Sequence, residues 1–193
     1  MEKLDINQTP VRTSRNFGVN SIKLENINMP ENFAYFSNVD IQIESIKDKV
    51  NFDNSEYKKL TYGLGEELEN QVKEKGNCPL KIEVNSILNK EISVNFGFNE
   101  SNRHLAENID ISATEKTKST IILTYQSDNE INYYHNGIVR VLAKENSEVN
   151  VIIVNFMGNR ATNFLSIENE IRDNAKVTYT IVDFGGRFSI TNY

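Results

Sequence analysis

Hydrophobic and polar positions alternate along this chain in a phrase that recurs three times between residues 108 and 183. Segments 115–123, 145–153 and 173–181 each consist of a polar corner followed by a β-rich run. Their corner residues Thr117, Ser147 and Ala175 are separated by 147 − 117 = 30 and 175 − 147 = 28 residues, inside the range of periods that marks solenoids and arrays. Before the corners, Ile109, Ile111 and Ala113 fall in step with Val139, Val141 and Ala143, each set alternating with polar positions as a strand with one buried face does. In the third copy the shift of 28 places Ile167, Asn169 and Ile171 at these positions, so Asn169 points inward unless a bulge moves it.

After the corners, Ser119, Val149 and Val177 form one column, Ile121, Val151 and Tyr179 a second, and Leu123, Ile153 and Ile181 a third. Further apolar residues stand between them at Ile122, Ile152, Val154 and Val182. Nearly continuous apolar runs predict parallel strands covered on both faces. Successive copies then become successive coils of a parallel β-helix, each about 4.8 Å above the last, with equivalent side chains stacked inside. Asn146 and Asn174 occupy two of the three corners, and asparagine tolerates the left-handed backbone a sharp corner needs. Two antiparallel hairpins are the alternative, since their turns also attract asparagine; they do not account for agreement column by column.

The chain before the repeats is less regular. Residues 9–20 carry Pro, Gly and Asn punctuation and read as extended or irregular chain, whereas Ser21–Leu24 and 39–44 alternate and predict strands or an arm laid against the main body. Asn54 or Ser55 caps a first short helix over 56–60, and Glu66–Lys75 predicts a second helix that ends at Gly76, its acidic start and basic end matching the helix dipole. The turn cluster Gly76-Asn77-Cys78-Pro79 marks a boundary. It divides an N-terminal arm with short helices, residues 1–79, from a parallel β-helix over 80–193. Residues 81–85 and 91–96 alternate well enough to be a first, less regular coil that caps the solenoid. The fold class is therefore mainly β, a parallel β-helix preceded by a small mixed α/β region.

Composition narrows the setting. At 193 residues, with 38% hydrophobic and 25% charged positions and no long apolar run, the chain reads as one soluble domain or one plus an appendage. Its first residues lack the apolar core of a signal peptide, so the cytoplasm is the expected compartment. A single cysteine, Cys78, excludes an internal disulfide. A net charge of 21 − 27 = −6 with no basic run argues against nucleic acid as a partner. Asn7 and Asn99 begin glycosylation-type triplets that carry no meaning without a secretory route.

Candidate chemistry is sparse. Arg12 and Arg15 are close enough to grip an anion but read as solvated. Gly63-Leu64-Gly65 lacks the buried strand and Lys-Ser/Thr of a phosphate loop, and Glu66 and Glu67 would repel phosphate, so it reads as a turn between helices. Cys78 sits in a turn, where an exposed thiol would serve as a sulfur acceptor or metal ligand; no cationic neighbour in sequence activates it. His104 and His135 read as loop or strand-end residues, and two histidines plus one cysteine lack a zinc spacing. Asp110, Asp128 and Asp173 would have to converge on one flank to form the acid–base pair of a sugar-cleaving β-helix; otherwise they are solvated. No catalytic, cofactor-binding or metal residue is assigned.

The segment Tyr134-His135-Asn136-Gly137-Ile138-Val139-Arg140-Val141, followed by Glu145-Asn146-Ser147-Glu148-Val149, resembles the SufB/SufD family of iron–sulfur cluster assembly proteins. Glu168-Asn169-Glu170-Ile171-Arg172-Asp173-Asn174-Ala175-Lys176-Val177 and Phe184-Gly185-Gly186-Arg187 extend the likeness, and Pro10-Val11-Arg12-Thr13 with Gly18-Val19-Asn20 resembles the start of bacterial SufD-type members. The resemblance implies a right-handed parallel β-helix acting as a non-catalytic scaffold, alongside a SufC-type ATPase and a second SufB/SufD-type β-helix subunit. It also implies a transient iron–sulfur cluster in the complete complex, with no cofactor held by this chain. The chain lacks tryptophan, which is expected near Ser14-Arg15-Asn16-Phe17, and it stops within the β-pattern of residues 187–193. Further coils with the family's cluster-building Cys and His positions, and its ATPase-docking helices, have no counterpart here, so the expectation is a truncated or partial form. The alternatives are a polysaccharide-binding or polysaccharide-active β-helix and a structural fragment that self-associates through its open end.

Overall fold

The computed structural model describes residues 2–5, 21–24, 27–40, 42–43 and 63–193. The predicted helix over 56–60, the irregular stretch 9–20 and both Arg12 and Arg15 lie outside them. Within them the chain forms strands β1 (Glu2–Asp5), β2 (Ser21–Leu24), β3 (Tyr35–Ser37) and β4 (Gln42–Ile43), then helix α1 (Glu66–Lys75). Nine strands follow: β5 (Cys78–Val84), β6 (Ile92–Gly97), β7 (His104–Ala113), β8 (Lys118–Gln126), β9 (Tyr134–Ala143), β10 (Glu148–Phe156), β11 (Thr162–Ile171), β12 (Lys176–Asp183) and β13 (Phe188–Asn192).

The odd-numbered strands from β5 to β13 stack in order in one parallel sheet, and β6, β8, β10 and β12 stack in a second. This is a parallel β-solenoid in which each coil contributes one strand to each sheet. The predicted columns are those of the structure: Ile109, Val139 and Ile167 pair in sequence, as do Ile121, Val151 and Tyr179. The first coil is β5 and β6, as their alternation predicts. It is closed from below by two antiparallel additions, β3 on β6 and β4 on β5, which use residues from the predicted N-terminal arm.

The corners follow from backbone sterics. Lys116, Asn146 and Asn174 stand at equivalent places with φ of 59°, 59° and 56°, in the left-handed region where non-glycine residues are strained and asparagine least so. The hydrogen-bond ladder continues through these corners: Lys116 N–H donates to Glu145 O at 3.1 Å and Asn146 N–H to Asp173 O at 3.0 Å. Thr117 and Ser147 point inward and are buried. Asn169 also points inward with no bulge, because its register with Val141 is continuous. The hydroxyl of Tyr179, from the opposite sheet, donates to its Oδ1.

One expectation needs correction. The apolar runs after the corners predict strands covered on both faces, but β8 and β10 alternate between buried and partly exposed positions, so the sheet to which they belong is sealed on its inner face alone. The other sheet is covered on both sides where all ten residues of β9 are buried. Helix α1 lies against its outer face. Leu68 and Val72, four residues apart, are buried there, and Leu64 and Leu68 pack with Tyr134 and Phe164. The side-chain amide of Asn136 donates to Leu68 O at 2.9 Å and to Gln71 Oε1 at 2.8 Å. Asn77, just past the helix, is hydrogen-bonded to Ala106 N and His104 O, both at 2.9 Å, which ties the helix end to β7.

Replacing Asn146 by Ala should cost about 1 kcal/mol, because the corner keeps its left-handed backbone with a less tolerant residue, while Asn146→Gly should be close to neutral. Urea denaturation of the two variants checks this. Equal losses in both would mean that the side chain, rather than the backbone, matters at this corner.

Candidate functional site

Extending the inward parity toward the start of β7, β9 and β11 brings polar residues into the core. One column runs Leu105, His135, Asn163, Ser189; the next runs Cys78, Glu107, Gly137, Leu165, Thr191. Across the interior they face the column Phe96, Tyr125, Asn155, Asp183. Polar groups buried this way need partners, and most of them find these in one another as a connected chain. Glu107 Oε1 accepts from the Tyr125 hydroxyl and lies 3.1 Å from His135 Nε2. His135 Nδ1 is 2.6 Å from Asn163 Oδ1, Asn163 Nδ2 donates to Ser189 Oγ at 3.1 Å, and Ser189 donates to Asp183 Oδ2. Asn155 Nδ2 donates to Asp183 Oδ1 at 2.8 Å. The chain begins at the fully buried Glu107 and ends at the exposed Asp183.

Aromatic packing holds the ring of His135. Tyr125 stacks on it with centroids 4.4 Å apart, and Phe96 stacks on the other side of Tyr125 at 4.9 Å. Gly137 makes room for the contact with Glu107. A Cβ there would lie 2.7 Å from His135 Nε2 and 2.9 Å from Glu107 Oε1. Glu107 Oε2 is buried without a partner among the described residues.

Several sequence expectations change here. Cys78 is not in an exposed turn: it opens β5 and is buried beside Glu107. Burial first, and then the charge of Glu107, push its thiol well above the usual range, the opposite of what a sulfur-accepting nucleophile needs. His135, the second residue of β9, does stand at a strand end, but its side chain is fully buried in the core rather than lying at the surface. His104 does begin a strand, its Nδ1 lying 2.8 Å from Asn28 O. Gly63-Leu64-Gly65 is a turn leading into α1, with Leu64 buried.

The three aspartates do not form a flank. Asp110 is not solvated but paired with buried Arg140 at 2.6 and 2.5 Å on the outer face of the β7–β9 sheet. Exposed Asp128 accepts from Glu130 N–H at 3.0 Å and from the Tyr133 hydroxyl at 2.9 Å; these bonds, the backbone one foremost, hold its carboxyl below the usual range. Exposed Asp173 stands at the corner between β11 and β12. Among the described residues no three His, Cys, Asp or Glu side chains converge as metal ligands, and no helix is long and apolar enough to cross a membrane. Glu107, Tyr125, Asn155, Asn163 and Ser189 were missed as site residues. Their parity with Ile109, Leu123, Ile153, Ile167 and one another placed them inside, but parity does not reveal which side chains meet across the core.

The fold and interior define a class: a parallel β-solenoid with a helix on one sheet and a polar chain at one end of its core. The family described as SUF system FeS cluster assembly, SufBD core domain, matches residues 96–193, just over half of the chain. The chain belongs to the SufB/SufD family. No curated protein and no solved structure matches it.

Gly137→Ala should destabilise the fold by about 1–3 kcal/mol, because the methyl group must displace the Glu107–His135 contact from a packed core; equilibrium unfolding measures this, and a wild-type midpoint would disprove it. A second expectation concerns alkaline pH. Tyr125 is pushed well above its ordinary 10.0 by burial, then by Glu107, and Cys78 well above 9.0. The folded state holds these protons more tightly than the unfolded chain, so their contribution is intact below the ordinary values and is lost as pH rises past them. The urea midpoint should fall steadily above pH 9.0, and Cys78→Ala should remove part of the slope. A midpoint flat across that range would refute the assignment.

Proposed function

We propose that the protein is a SufD-like scaffold subunit of an iron–sulfur cluster assembly complex, without catalytic chemistry of its own. The observation that carries this reading is the family match over residues 96–193, which spans the part of the chain that forms the solenoid from β7 onward. SufD-like rather than SufB-like character is supported by the N-terminal stretches Pro10-Val11-Arg12-Thr13 and Gly18-Val19-Asn20. In this role the cluster is cargo of the assembled complex rather than a resident group of this chain. The partners are a SufC-type ATPase, which supplies the nucleotide chemistry for which this sequence carries no phosphate loop, and a second SufB/SufD-type β-helix subunit. The expected compartment is the cytoplasm.

Co-expression of the full reading frame that encodes this chain with a SufC-type ATPase and a SufB-type subunit, followed by affinity capture on either partner, tests the proposal. A stoichiometric ternary complex is the expected result. Failure of the full reading frame to join either partner, while those two still bind each other, would remove the assembly role.

A further inference from the structure

We infer that the interior chain Glu107, His135, Asn163, Ser189, Asp183 binds one proton beyond those of its neutral side chains, and that this proton resides on His135 against Glu107. Four contacts join the five side chains: Glu107 Oε1 to His135 Nε2 at 3.1 Å, His135 Nδ1 to Asn163 Oδ1 at 2.6 Å, Asn163 Nδ2 to Ser189 Oγ at 3.1 Å, and Ser189 Oγ to Asp183 Oδ2. Each contact requires one hydrogen. Both ends are carboxyl groups, which only accept when ionised. Between them a neutral imidazole carries one N–H, the amide donates to one neighbour while accepting from the other, and the hydroxyl has one hydrogen. That makes three hydrogens for four contacts.

Reversing the direction of the bonds does not close the deficit. If Asn163 turned its amide toward His135, Ser189 would have to donate to Asn163, and its contact with the Asp183 carboxylate would then lack a hydrogen. With the orientation found, Nδ1 must carry a hydrogen to face a carbonyl oxygen, and a neutral ring would then turn a bare Nε2 toward a carboxylate inside a core where His135 and Glu107 are both fully buried. Two acceptors facing each other there cost more than a lost hydrogen bond.

The other titratable groups near the ring do not supply the missing hydrogen. Among the described residues they are Tyr125 on β8, Cys78 on β5, and the two carboxyl groups of the chain itself, on β7 and at the end of β12, the latter accepting on both oxygens from Ser189, Asn155 and the Gly185 N–H. The Tyr125 hydroxyl already donates to Glu107 Oε1, and Cys78 makes no bond to the carboxylate, whose Oε2 has no partner among the described residues. The same two facts locate the proton. A hydrogen on Glu107 Oε2 would have no acceptor among the described residues, so the added proton lies in the contact between Oε1 and Nε2; the Tyr125 hydroxyl donated to Oε1 favours the ionised carboxylate, which leaves the proton on Nε2 and makes His135 an imidazolium. The Tyr125 ring, stacked 4.4 Å from it, presents the electron-rich face that favours a cation.

A consequence reaches across coils. The exposed Asp183 is a positioning residue for a buried ring: by taking the Ser189 hydrogen it forces Asn163 to donate to Ser189, which commits His135 Nδ1 to donating as well. Without Asp183 or Ser189, Asn163 can turn over and donate to a bare Nδ1. The hydrogens then suffice, and the extra proton leaves. This proton site is independent of the assembly role and stands or falls separately from it.

Nitrogen-15 NMR of the full chain labelled at histidine, near neutral pH, reads both ring nitrogens directly; His104→Gln identifies the signal of the other histidine. The wild-type protein should show His135 protonated at both nitrogens. Ser189→Ala and the surface change Asp183→Ala should each convert it to a neutral ring with a bare Nδ1 and a protonated Nε2. A bare nitrogen on His135 in the wild type overturns the proton site. A doubly protonated ring that persists in folded Asp183→Ala or Ser189→Ala protein overturns the control by the chain's outer end. Should Ser189→Ala fail to fold, the wild-type spectrum and the exposed Asp183 variant still decide both points.

Discussion

Parallel stacking at constant register is the constraint on which this molecule depends. The backbone passes each corner at equivalent left-handed residues, Lys116, Asn146 and Asn174, so every residue of one coil sits above its counterpart in the coil below. Side-chain direction cannot drift, since a slip of one residue would turn every inward group outward. Isoleucine and valine therefore stack on themselves through the middle of the core. The strain at Lys116 is borne because the hydrogen bonds on both sides of the corner over-determine its backbone.

The same constraint makes a polar residue in an inward column a commitment. Once Glu107 and His135 share the parity of Ile109 and Val139, they are buried wherever the coils stack, and only partners on other strands can satisfy them. The structure supplies those partners from both sheets and over successive coils, with Gly137 leaving the space they need. Buried networks of this kind contribute little net stability compared with apolar packing, but they penalise alternative registers heavily, because a shifted coil would strand several polar groups at once. The polar end of the interior thus pins the register that the apolar middle would tolerate in more than one way.

The two sheets differ in what lies outside them. The sheet containing β9 is covered, with α1 against it and the ion pair of Arg140 with Asp110 buried on its outer side. The sheet containing β10 keeps its outer positions partly open. This asymmetric solenoid belongs to a chain of the SufB/SufD family.

Periodicity in the sequence was sufficient for the solenoid, its columns, its corners and α1, because each depends on local backbone preference or on the repeat spacing. The residues that alternate with Ile109, Val139 and Ile167 declare their face in the linear sequence. The sequence could not show that Cys78 is buried rather than turned out, that Asp110 is held by Arg140, or that His135 joins Glu107 to Asp183 through Asn163 and Ser189. Those contacts run between strands about 30 residues apart and across the core from one sheet to the other. Parity assigns a side chain to the interior; only the tertiary structure decides which groups meet there, because their meeting depends on rotamers and on the width of the core, neither of which is encoded in the spacing of the repeats.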